Sequence, residues 1–171
     1  PYTEKFNIGY KEQLDDFISL SRKGITQKTQ LLIAPETALL EEIWENKIEA
    51  TYSIRKLMEL QSEFPRLNII IGATTYKMFL EGEKTATARK IRNEDIYYDV
   101  YNSAIFLSNS GEVAVYHKTK LVPGAEKTPF PIFLDKLASL MLDLGGTTGS
   151  LGSENTLTNF NVNGINVRPL I

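Results

Sequence analysis

Two residues of this sequence stand where they could move a proton or stabilise charge. Glu36 follows Pro35 at the end of the apolar run Leu31-Leu32-Ile33-Ala34. Proline fixes φ and ends regular pairing, so the glutamate sits at a strand exit. A carboxylate held there is rigid and partly desolvated, which suits a general base near neutral pH. A solvated or capping glutamate is the other reading of this segment alone. Lys118 ends a stretch of alternating character, with Val113, Val115 and His117 on one face and Ala114, Tyr116 and Lys118 on the other. A lysine in line with small and aromatic inward residues is buried and therefore paired. Its ammonium can stabilise a developing oxyanion, the alternative being a strand-end lysine that reaches solvent. The sequence has no cysteine, so neither group has a thiol of this chain to activate.

Strands and helices alternate around these residues. Leu14, Phe17, Ile18 and Ser21 share one helical face. The run from Leu31 to Ala34 reads as a buried strand. A helix is expected from Ala50 to Phe64, with Ile54, Leu57, Met58 and Gln61 on one stripe. Leu67 to Thr75 reads as the next buried strand, and residues 81 to 95 as a polar loop between paired strands. Val100 to Ser108 and Glu112 to Lys118 form a hairpin around Asn109-Ser110-Gly111. Pro129 and Pro131 precede a helix carrying Phe133, Leu137, Leu140, Met141 and Leu144, and Gly145 to Ser153 is a loop. Asn163-Gly164, between Phe160-Asn161-Val162 and Ile165-Asn166-Val167, signals a type I′ hairpin. The order suits a single layered α/β domain.

Composition narrows the function classes. The chain has 171 residues, enough for a sizeable core. A net charge of −2 supplies no basic field for nucleic acid or anionic lipid. Without cysteine there are no disulfides and no thiolate metal sites, and a single histidine excludes a multi-histidine metal centre. No apolar run approaches the roughly 20 residues of a membrane span. Gly145-Gly146-Thr147-Thr148-Gly149-Ser150 lacks the Lys-Ser/Thr of a phosphate loop. Trp44 reads first as a packing residue, with an interface aromatic or the lining of an acyl-chain entrance as the other readings, and the cluster Phe130-Pro131-Ile132-Phe133 reads as core packing, with lipid or lid contact second.

Three segments together carry a resemblance. They are Leu31 to Leu39 with Pro35-Glu36-Thr37-Ala38-Leu39, Tyr116 to Glu126 with Lys118-Thr119-Lys120-Leu121-Val122-Pro123, and Gly164 to Ile171. In this order they resemble the nitrilase (carbon–nitrogen hydrolase) superfamily, most of all the catalytic domain of the apolipoprotein N-acyltransferases. The resemblance spans about Pro1 to Ile171. It implies a partial nitrilase-like α-β-β-α sandwich, residues 1–171 being a single incomplete domain. On this reading the family's first strand is missing and the chain stops just before the catalytic cysteine of a Glu-Lys-Cys triad. The resemblance implies that Glu36 is base and then acid, that Lys118 binds the oxyanion, and that Glu126 supports the lysine. Gly124-Ala125 replaces the family's usual Phe-Gly before that glutamate, and Lys120 stands where relatives often carry histidine. His117 is expected to face away from Lys118 in a structural or surface role.

The activity implied is transfer of a fatty acyl group from a phospholipid donor, through a cysteine thioester, to the N-terminal amine of a diacylglyceryl-modified apolipoprotein. No cofactor and no nucleic acid is implied. The implied location is the periplasmic side of a bacterial inner membrane, reached through segments outside this chain. A soluble nitrilase-type amidase is the alternative, as is a non-catalytic binding domain. The Lys120-Leu121-Val122-Pro123 loop, and the helix and Gly/Ser-rich insert between Glu126 and the final hairpin, favour the acyltransferase.

Overall fold

In a computed structural model, the described residues are 9–91, 93–123, 126 and 150–169. The expected helix carrying Phe133 to Leu144, the cluster Phe130 to Phe133, most of the Gly/Ser-rich loop and Pro1 to Phe6 lie outside them.

Helix α1 (Tyr10–Gly24) buries Leu14, Ile18 and Ser21, with Phe17 packed beside them. Helix α2 (Tyr52–Glu63) buries Ile54, Leu57 and Leu60, and Met58 is partly covered. Gln61, expected on the same stripe, spends its amide on the carbonyls of Leu67 and Leu107. Thr51, at the N-cap of α2, makes no side-chain cap bond. Glu41 substitutes from a neighbouring strand, accepting from the N–H groups of Tyr52 and Ser53 at 3.1 and 2.7 Å.

Two long strands make the spine of the sheet. β3 (Asn68–Leu80) and β5 (Ile96–Leu107) pair antiparallel from Ile69↔Leu107 to Leu80↔Ile96. β1 (Leu31–Ile33) and β2 (Leu39–Trp44) run parallel to β3, one after the other along the same edge. β4 (Arg89–Lys90) and β6 (Val113–His117) pair with the outer edge of β5. Between them Gly152 bridges to Tyr101 and donates its N–H to Val100 O. The strands extend beyond their expected ends, because alternation continues through Tyr76 to Leu80 and back to Ile96. The charged stretch after Leu40 was not expected to pair. It begins as a strand, because Leu39 and Ile43 are buried while Glu41 caps α2.

The pleat separates two cores. Ile69, Ile71, Ala73, Ile105 and Leu107 meet both helices on one face. Ile70, Ala104, Phe106 and Tyr116 face the other way and meet Phe160 and Val162. These last come from a second small sheet, the hairpin β7 (Phe160–Val162) and β8 (Ile165–Val167). Asn163 and Gly164 turn it with φ of 51° and 86°, as a type I′ turn requires. Phe106 stacks on Phe160 with ring centroids 4.9 Å apart. The layers are helix, sheet, sheet. No helix among the described residues is long and apolar enough to cross a membrane.

Candidate active site

Glu36 reaches the site through a close backbone approach. Beyond β1 the chain stays against β3, with Ala34 N donating to Ile70 O and Gly72 N donating to Pro35 O. A Cβ on Gly72 would lie 2.6 Å from Pro35 O and 2.7 Å from Glu36 Cα. Only glycine lets the loop sit this low on the sheet. Thr37 then takes a positive φ of 51°, turning the chain away and leaving Glu36 at the corner.

Lys118 arrives from the other direction. Its N–H donates to Asn102 O at 2.8 Å, extending the β5–β6 ladder by one residue. The side chain is only 8% exposed, and Nζ donates to Glu36 Oε1 and to Glu126 Oε1, each at 3.0 Å. Glu36 and Lys118 are 82 positions apart in sequence. The Glu126 carboxylate is 14% exposed, and that of Glu36, facing solvent on one side, is 46% exposed. The partial desolvation expected of Glu36 therefore applies to one side of the carboxylate only. Glu126 is tied down further: Val122 N donates to its Oε2 at 2.7 Å, its own N–H donates to Val122 O, and Leu151 N donates to its carbonyl.

A fourth residue completes the cluster. Asn102 Nδ2 donates to Glu126 Oε1 at 2.8 Å and also to Glu36 Oε1, while its Oδ1 is buried without a partner among the described residues. Sequence reasoning missed Asn102. The signal was present, since it is an amide inside the strand Val100 to Leu107, where asparagine is disfavoured and a buried polar group needs a purpose.

The electrostatics follow from these contacts. Burial alone would lower the Lys118 pKa, but its hydrogen bonds to Glu126 and Glu36 outweigh that and hold it above the ordinary lysine value. Burial alone would raise the Glu126 pKa. The Val122 N–H, Asn102 and Lys118 together outweigh it and hold this carboxyl below its usual range. The site thus keeps a charged ammonium between two carboxylates. Two of the three ammonium hydrogens are committed, which leaves one donor for a further acceptor.

A cleft of about 360 Å³ opens beside Glu36, walled by Ile33, Ile70, Gly72 and Ala104 and closed by Arg168 and Pro169. His117 points to the helix face, away from this cleft. Its Nε2 lies 2.6 Å from Glu45 Oε1, its Nδ1 lies 2.9 Å from Glu154 Oε1, and its ring stacks on Tyr101 at 3.9 Å.

No family model matches the chain, and no curated protein sequence matches it. Solved structures do. A CN-hydrolase superfamily protein from Xanthomonas campestris, with an arsenic adduct in its active site, superposes with a TM-score of 0.53 at 11% identity. The match covers 94% of this chain and 47% of that one, so the chain spans about half its length. A glutamine-dependent NAD+ synthetase from Acinetobacter baumannii gives a TM-score of 0.47 at 16% identity, over 94% of this chain and 24% of that one. The fold is that of the CN-hydrolase (nitrilase) superfamily, present here as part of its α/β sandwich.

Proposed function

We propose that this chain carries the acid–base and oxyanion-binding part of a nitrilase-type acyl-transfer site, and that the enzyme is an apolipoprotein N-acyltransferase. The observation that carries the reading is the convergence of Glu36 and Glu126 on a buried Lys118 ammonium, with Asn102 donating to both carboxylates. The nucleophile is a cysteine outside these 171 residues.

In this mechanism Glu36, the more open carboxylate, takes the thiol proton. The thiolate adds to a phospholipid ester carbonyl, and the free Lys118 N–H meets the oxyanion. The C–O bond breaks as Glu36 returns the proton to the leaving alcohol, leaving a thioester. The amine of a diacylglyceryl-modified lipoprotein then forms the C–N bond as the C–S bond breaks, with Glu36 taking the amine proton and passing it to the leaving thiolate. Glu126 holds the lysine, Asn102 holds the two carboxylates, and both are positioning residues. The apolar walls of the cleft support an acyl substrate.

The test incubates the native gene product with phospholipid labelled in its acyl chain. A thioester-linked acyl adduct is expected, lost in Glu36→Gln and Lys118→Met. The 171-residue chain alone, lacking a thiol, is expected to form none. Ammonia release from small amides without an acyl adduct would replace this reading with the amidase. Neither activity in the native product would leave a binding domain.

A further inference from the structure

A second cleft, of about 440 Å³, lies on the outer edge of β5. Thr119, Lys120, Ser150 and Ser153 line it together with Leu151 and Thr87. Its chemistry differs from that of the first cleft, being rich in hydroxyls and cationic. Lys120 is exposed, and no carboxylate among the described residues pairs with it. Arg89 reaches the rim, its Nη2 donating to Ser150 O at 3.4 Å. It likewise has no ion-pair partner among the described residues. The nearest acid to the Thr87 wall is Asp99, which is fully buried. Asp99 is already bonded to the hydroxyls of Thr85 and Thr87 and to Val100 N, so both of its oxygens are engaged.

We infer that this cleft binds the phosphate group of a phosphorylated ligand. Lys120 and Arg89, neither ion-paired with a carboxylate among the described residues, together with the hydroxyls of Thr119 and Ser153, match a tetrahedral oxyanion, which takes charge-assisted hydrogen bonds from several directions. Thr119 can accept from Tyr116 Oη, 3.4 Å away, and donate its own proton inward. The volume exceeds what one anion fills and falls in the range of sites for small molecules, roughly 300–1,000 Å³, so the phosphate arrives as an ester.

The cleft is coupled to the first site by the chain itself. Lys120 follows Lys118 by two residues, and Leu151, in the cleft wall, donates its N–H to Glu126 O. The inference stands without acyl transfer, because binding is measured without turnover.

Calorimetric titration of the native gene product with glycerol 3-phosphate tests it. Binding with a dissociation constant on the order of 1 mM is expected, weakening as salt is added. Lys120→Gln should weaken it about tenfold. Arg89→Lys, which keeps the charge but loses the fork, should weaken it by a smaller factor. Lys28→Gln, on an exposed residue outside the cleft, should leave it unchanged. Cosedimentation with phosphatidylcholine vesicles, with and without phosphatidic acid, separates the sources. Retention on phosphatidic acid that Lys120→Gln abolishes identifies a lipid phosphate. Soluble binding without such retention identifies a soluble ester. Binding that is absent, unaffected by Lys120→Gln, or weakened equally by Lys28→Gln overturns the proposal.

Discussion

Lys118 shows what one buried ammonium requires of its surroundings. With 8% of its side chain exposed, it keeps its charge because two carboxylates are arranged around it. Replacing it by methionine keeps the volume and leaves Glu36 and Glu126 facing each other without a cation. Breaking a buried pair in this way costs about 3–5 kcal/mol, and urea unfolding of Lys118→Met should show a loss of that size. The pH dependence has two limbs. Glu126 titrates below its unfolded value in the folded state. Its contribution is therefore present above the unfolded carboxylate pKa and lost as pH falls through the folded one. Lys118 titrates above its unfolded value. Its contribution is complete below the unfolded lysine pKa and lost as pH rises through the folded one. Glu126→Gln should flatten the acid limb of stability against pH, and Lys118→Met the alkaline limb. Asn102→Ala strips a donor from both carboxylates, and a cost of about 1–3 kcal/mol is expected. Glu36 and Lys118 were legible because each ends a strand beside a proline or an alternating run. Asn102 was not singled out because its partners lie 66 and 24 positions away.

Elements, not side chains, decide whether these residues meet. Glu36 sits where it does because β1 is short, Pro35 stops it, and Gly72 of β3 lets the following corner rest on the sheet. Gly72→Ala puts a methyl group within 2.6–2.8 Å of three backbone atoms of that corner. Backbone cannot swing aside as a flexible side chain can, so overpacking of about 1–3 kcal/mol is expected, measurable in a thermal melt. The same substitution should move Glu36 away from Lys118. Hydrogen exchange of the Lys118 amide should stay slow, because its bond to Asn102 O belongs to another strand pair. Both helices and both hairpins were legible from periodicity and turn residues, down to Asn163-Gly164. β2 was not, because its glutamates resemble a solvated stretch until Glu41 is seen capping α2. Pairing by Arg89–Lys90 was equally hidden, two residues being too short to show alternation.

At the scale of the molecule, the α/β sandwich is legible as a layer order, while its edges are properties of assembly alone. Among the described residues β1 pairs on one side only, with β3. Ile33 at its end is 65% exposed, and Ile165, on β8 of the two-stranded sheet, is equally open. An apolar residue on an unpaired edge offers a template to another chain, and the chain's net charge of −2 provides little repulsion against it. The 171-residue chain on its own is therefore expected to self-associate. Light scattering should show species larger than a monomer, increasing with protein concentration. Ile33→Lys places a charge on the β1 edge, and Ile165→Lys places one on the β8 edge. The double variant should shift the distribution toward monomer with little change in melting temperature, since neither side chain is buried. Monomeric behaviour of the unmodified chain across the same concentrations, with one cooperative melt, would show that these edges are covered in solution and that exposure at Ile33 and Ile165 does not drive association.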